Sequence, residues 1–141
     1  NISNRIVGEL RPDMALTTGE GDVAIRRSSD GHFRLTAMVD GKSVRFMVDT
    51  GATLVALSPA DARAIGFDTE RLQYGLRIQT ANGTAWSAGV SLREIAVGPI
   101  RTRNVRAAVS QSGLHESLLG LAFLNRLSGY EVRGDTMILK P

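Results

Sequence analysis

The stretch Phe46-Met47-Val48-Asp49-Thr50-Gly51-Ala52-Thr53 constrains the fold of this chain more than any other. Three apolar residues suited to a buried strand run into an aspartate, a threonine and a glycine, so the strand must end in a tight loop that carries a carboxylate at its start. Glycine at position 51 lets the backbone pass close to that carboxylate. Just upstream, residues 33–39 and 42–48 flank Asp40-Gly41, a dipeptide that favours a two-residue hairpin turn because both positions tolerate positive φ. A hairpin therefore feeds the loop.

The remaining punctuation is that of a β protein, with short apolar segments separated by Gly, Asn and Asp. Residues 54–57 read as a short strand leading into Ser58-Pro59-Ala60-Asp61-Ala62-Arg63-Ala64-Ile65-Gly66. Serine as N-cap, proline at the first helical position and glycine past the last turn predict a short helix there. Residues 76–80 and 84–97 are extended, with Ala81-Asn82-Gly83 as a hairpin tip, and 105–109 continue the sheet. Leu118-Leu119-Gly120 reads as a strand that turns at glycine into a second short helix, and 131–133 and 136–139 flank Gly134-Asp135 as a last hairpin. Residues 1–21, with Pro12, Gly19 and Gly21, read as an N-terminal arm or linker, and 22–141 as one domain. The expected architecture is all-β, a small partly closed barrel with two short helices.

Composition excludes several classes. Hydrophobic content of 43% and charged content of 22% suit a chain that buries a core. The absence of cysteine removes disulfides, thiolate metal sites and thiol nucleophiles together. Net charge is +3, carried mostly by arginine, with Lys42 and Lys140 the only lysines. Neither Arg26-Arg27 nor the Arg101, Arg103, Arg106 series is interleaved with the aromatics of a nucleic-acid platform, so no nucleic-acid partner is expected. Arg101 and Arg103 share the outward face of an extended segment by their period-two spacing. His32 and His115 have no metal-ligand spacing, so no metal or other cofactor is expected. No serine elbow and no phosphate-binding glycine loop is present. No apolar run approaches the length of a membrane span, and no signal-peptide pattern opens the chain.

In this order and spacing the elements resemble the retropepsin-like family, the single-domain aspartic proteases of retroviruses and their bacterial relatives, over about residues 31–139. The resemblance implies that Asp49 is the catalytic aspartate and that Thr50 braces paired loops across a dimer axis. It makes Gly51 the point of close backbone approach. Ala52 matches an alanine common in retroviral members, whereas Thr53 replaces the aspartate that often follows it. Thr80-Ala81-Asn82-Gly83-Thr84 falls where the family places its flap, a hairpin that closes over bound peptide. The bland reading of the same residues is an ordinary turn, and Asn82-Gly83-Thr84 also fits a glycosylation acceptor. Trp86, just past the tip, either lines the substrate groove or anchors the barrel as a buried aromatic. Leu118, Leu119 and Gly120 resemble the strand that crosses behind the catalytic loop and supports it.

Aspartic proteolysis needs two carboxylates that cannot both ionise, one to deprotonate water and one to supply a proton. A chain of 141 residues with one Asp-Thr-Gly supplies half of that. The resemblance thus implies a homodimer with both copies of Asp49 on the two-fold axis, knitted partly by terminal strands such as 136–139. The function expected is a cofactor-free aspartic endopeptidase acting on peptide or protein substrates. The alternative is the same fold kept as a non-catalytic dimerisation or peptide-binding module. Bacterial members often carry an N-terminal transmembrane helix and this chain begins at Asn1, so the resemblance also implies a membrane anchor upstream of residue 1. Its expected location is the periplasmic side of a bacterial inner membrane.

Overall fold

The computed structural model describes residues 15–17, 21–80 and 83–141. In chain order they form β1 (Ala15–Thr17), β2 (Val23–Arg26), β3 (Arg34–Val39), β4 (Lys42–Val48), β5 (Val55–Leu57), α1 (Pro59–Ile65), β6 (Leu76–Thr80), β7 (Gly83–Val97), β8 (Ile100–Ser110), β9 (Ser117–Leu119), α2 (Leu121–Leu124), β10 (Gly129–Arg133) and β11 (Thr136–Lys140). The β3–β4 turn has φ of 48° at Asp40 and 83° at Gly41, the left-handed pair that a two-residue hairpin requires.

The larger sheet runs β3-β4-β9-β5-β8-β7-β6, and β3 pairs again with β7 through Met38↔Ala96 and Val39↔Ile95. That second pairing closes a six-stranded barrel, where an only partly closed one was expected, and leaves β6 outside the ring. Closure removes the unpaired edges that an open sheet would present. Inside lie Leu35, Phe46, Leu57, Leu92, Ile95, Phe123 and Leu124, all essentially fully buried. Each such side chain contributes about 1.5–3 kcal/mol relative to an exposed one.

The smaller sheet, β1-β2-β11-β10, packs Val23, Ile25, Met137 and Leu139 onto the same core. Two of its features depart from the sequence reading. Residues 15–17 of the expected arm pair with β2, so the arm contributes a strand to the fold. Strand β11, the candidate for knitting a dimer, has both edges occupied within its own chain, by β2 on one side and β10 on the other. Its removal would take out an inner strand of this sheet.

Helix α1 forms as its residues dictate. Ser58 Oγ accepts from the Asp61 N–H, Pro59 occupies the first turn, and the Gly66 N–H donates to the carbonyls of Ala62 and Arg63 at φ 122°. Strands β7 and β8 form the long arm of the barrel, and Arg101 and Arg103 point outward from β8 with side chains 66% and 81% exposed.

Candidate active site

Strand β4 runs parallel to β9, with Phe46, Met47 and Val48 opposite Ser117, Leu118 and Leu119. After Val48 the chain leaves the ladder. The Asp49 N–H still donates to the Leu119 carbonyl at 3.1 Å, and the Asp49 carbonyl accepts from the Ala52 N–H at 3.2 Å, which closes the turn. Asp49 is 9% exposed, and its carboxylate Oδ1 accepts from the Gly51 N–H at 2.8 Å. A Cβ on Gly51 would stand 3.1 Å from that oxygen, tighter than an ordinary contact, so glycine is what lets the amide come this near. Thr50 and Thr53 are exposed on the loop, and Ala52 is fully buried beneath it.

The loop is pinned from below. Backbone N–H groups of Leu121 and Ala122, in the first turn of α2, donate to the carbonyls of Ala52 and Thr53 at 2.9 and 2.8 Å. These bonds satisfy amides that a helix start leaves without an internal partner. Gly120 sits between the two segments, where a Cβ would collide with the carbonyl oxygens of Ala52 and Leu54. Leu118 and Leu119 are fully buried, and the Leu119 carbonyl accepts from the Asp49 N–H at the start of the loop.

A buried polar chain that the sequence reading missed ties this floor to α1. Ser117 Oγ accepts from the Ser58 N–H at 2.9 Å and donates to Asp61 Oδ2 at 2.5 Å. The available signal was the Ser58-x-x-Asp61 spacing of a capping box, but Asp61 directs its carboxylate to Ser117 across the structure. A second missed feature is Arg34. Its side chain is 13% exposed and bonds Asp30 at 2.7 Å and Glu116, the residue before β9, at 2.5 Å. Hydrogen bonds from the Arg34 guanidinium and then the His32 N–H hold the Asp30 carboxyl well below the usual carboxylate range. The same two carboxylates raise the Arg34 guanidinium above its ordinary value.

The β6–β7 hairpin extends past the end of the β7–β8 ladder. Its pairs run from Leu76↔Ser87 to Thr80↔Gly83, whereas β7 meets β8 only from Ser87↔Ser110 onward. Residues 83–86 pair with β6, and the Gln111 N–H anchors the base through the Trp86 carbonyl at 2.9 Å. Gly83 has φ 104°. Ala81 and Asn82, the rest of the expected tip, lie outside the described residues. Trp86 is 53% exposed, with the Arg77 guanidinium 5.8 Å from its ring centroid, so it is no buried anchor. By strand alternation it shares a face with Ala88, Val90 and Leu92, while Ala85, Ser87 and Gly89 take the other.

Two surface concavities are lined by residues of the segments that follow the Asp49 loop. One, of 480 Å³, is lined by Pro59, Arg63, Leu72, Tyr74 and Gln111, and the other, of 440 Å³, by Thr53, Leu54, Arg106, Leu121 and Arg126. Among the described residues no group of three or more His, Asp or Glu could hold a metal ion, and both histidines are exposed.

A family model described as gag-polyprotein putative aspartyl protease matches residues 35–126. A solved retropepsin-like aspartic protease from Rickettsia conorii is 38% identical with a TM-score of 0.77, covering 84% of this chain and 89% of that one. The protease of EIAV, solved with the inhibitor HBY-793, shares the fold at 16% identity and a TM-score of 0.59, covering 77% of this chain and 100% of that one. An uncharacterized Sinorhizobium protein from the cobV 5′ region is 42% identical over 99% of this chain. The chain spans 62% of the length of that relative.

Proposed function

The chain belongs to the retropepsin-like aspartic protease family, and on that footing we propose that it is an aspartic endopeptidase whose active site is completed by a second copy of itself. The observation that carries this reading is the Asp49 carboxylate, buried on a loop fixed by the Gly51 amide and by the amides of α2. One carboxylate of the pair takes a proton from water, whose oxygen adds to the peptide carbonyl carbon. The other gives its proton to the carbonyl oxygen. The C–N bond then breaks with proton transfer to the departing amine. Thr50, exposed beside Asp49, would brace the two loops across the axis. Substrate would lie extended beneath the β6–β7 hairpin, which binds it as an added strand.

Digestion of a peptide library by wild-type protein and by Asp49→Ala in parallel tests the chemistry. Cleavage should vanish in the variant, and equal activity in both would remove the assignment in favour of a non-catalytic binding module. Specific activity should also fall on dilution as dimers dissociate, and a fully active monomer in sedimentation would defeat the shared site. No helix among the described residues is long and apolar enough to cross a membrane. An anchor upstream of residue 1 and a place at the bacterial envelope are part of the proposal, tested by fractionating cells that express the full gene product.

A further inference from the structure

One row of directly opposed residues crosses the barrel sheet: Met47 on β4, Leu118 on β9, Ala56 on β5, Ala108 on β8 and Gly89 on β7. Its first three members pack with Ala52 of the Asp49 loop in a small apolar cluster separate from the main core. Residues opposed across a ladder share a face, so this row is the sheet face that turns toward the loop. Leu76, opposite Ser87 at the base of the hairpin, lies on the same face. Its neighbours there, Ser87 and Gly89, have a small side chain or none.

Leu76 is seated on Gly89. A Cβ built at position 89 would stand 3.2 Å from Leu76 Cδ1, so alanine there would displace the leucine by a few tenths of an ångström. Leu76 nonetheless remains 43% exposed: one side rests in the glycine notch and the other is open. A large apolar side chain left open on the catalytic-loop face, at the root of the hairpin, is what a bound peptide side chain would meet.

We infer that Leu76, held down by the Gly89 notch, sets the size of one substrate side chain, selecting small or β-branched apolar residues such as alanine and valine over leucine and phenylalanine. The inference rests on the peptidase reading and adds to it the class of residue chosen at that position. Leu76 touches substrate, while Gly89 acts through Leu76 as a positioning residue.

The test varies one position at a time, among Ala, Val, Leu and Phe, in the library peptide cleaved best or, where none is cleaved, in the one bound most tightly. In Leu76→Ala one position should turn toward Leu and Phe by about tenfold, the scale of discrimination that a few methylenes give in an apolar pocket. Gly89→Ala should push Leu76 outward and sharpen rejection of Leu and Phe. The double variant should behave like Leu76→Ala, because the new methyl then has no leucine to push, and this non-additivity is the signature of contact. A uniform change at all positions, or additive effects, overturns the inference. The same peptides are titrated against Asp49→Asn forms of each variant by fluorescence of Trp86, the chain's only tryptophan. Size selection that follows Leu76 in binding, with no cleavage by wild type, defeats the peptidase reading and keeps the pocket. Cleavage without such selection does the reverse, and absence of both defeats both.

Discussion

The floor beneath Asp49 and the β6–β7 hairpin are built from the same β grammar, yet they are held in different ways. The floor is over-determined. Asp49, Ala52 and Thr53 exchange backbone hydrogen bonds with Leu119, Leu121 and Ala122, and Gly120 fills a gap with no room for one more carbon. The hairpin has its own ladder, an amide bond from Gln111 at its base, and exposed side chains at Leu76 and Trp86. Precision in placing a carboxylate requires many coupled constraints, whereas a segment held by few opens at lower free-energy cost. Substitutions in the floor should therefore appear as lost stability, and substitutions in the hairpin as lost turnover.

Gly120→Ala should break the floor most severely. The added methyl meets two backbone carbonyls that are themselves fixed, so it cannot be relieved by a side-chain rotation. The expected cost is about 3 kcal/mol or more, at the upper end of overpacking effects, read as a shifted urea midpoint. A variant within about 1 kcal/mol of wild type, inside the range of ordinary surface substitutions, would show that the loop can yield.

Ser117→Ala probes the same floor from its other side. It strands the Ser58 amide and removes a donor from Asp61, which should cost about 1–3 kcal/mol. Ser58→Ala deletes the cap but leaves the amide bonded to Ser117, so its effect should be nearer 1 kcal/mol. If the two variants are equally stable, the buried chain between α1 and β9 carries no weight.

Gly83→Val is the matching probe of the hairpin. At φ 104° a β-branched residue is strained although nothing lies within 4 Å of its Cβ, so the tip must change its backbone path. A penalty of about 1–2 kcal/mol on the closed form corresponds to roughly a tenfold loss of turnover. The thermal midpoint should move less than in Ser117→Ala, since Gly83 is only half-buried and Thr84 is exposed, whereas Ser117 is fully buried. Wild-type cleavage by Gly83→Val would make residues 80–84 an ordinary turn.

The contrast also explains what could be read from sequence. Asp40-Gly41, Ser58-Pro59 and Gly66 announce their turn, cap and helix end because those jobs are local and few residues can do them. Asp49-Thr50-Gly51 and Leu118-Leu119-Gly120 were legible as motifs for the same reason. What escaped notice depends on pairing at long range. Arg34 with Glu116, and Ser117 with Asp61, are distant in sequence and lack distinctive composition. Strand β2 is four residues long and ends in charged and polar residues, so its pairing with β11 left no periodic trace. That pairing, invisible locally, is what keeps the C-terminal strand inside its own chain. The seat of Leu76 on Gly89 was hidden similarly, because a glycine within a strand reads only as a weak position.

The smallest expected effect concerns acid. Arg34 clasps Asp30 and Glu116 and so ties the segment entering β9 to β3, on the floor side of the molecule. Because the folded state holds the Asp30 carboxyl below its ordinary value, this clasp adds stability that is fully present above the unfolded value of about 4 and is lost as pH falls through the folded one. Asp30→Asn lacks that dependence. Wild type should therefore exceed Asp30→Asn in stability near neutrality, and the gap should close progressively below pH about 4. Exposure of Asp30 keeps the gap small, since water and salt screen such pairs. Hydrogen exchange locates the effect: protection factors at residues 117–119 should drop in acid ahead of those at 76–80 and 83–87, whose ladder pairs involve no carboxylate. Loss of protection first in the hairpin would mean that the clasp does not govern the floor.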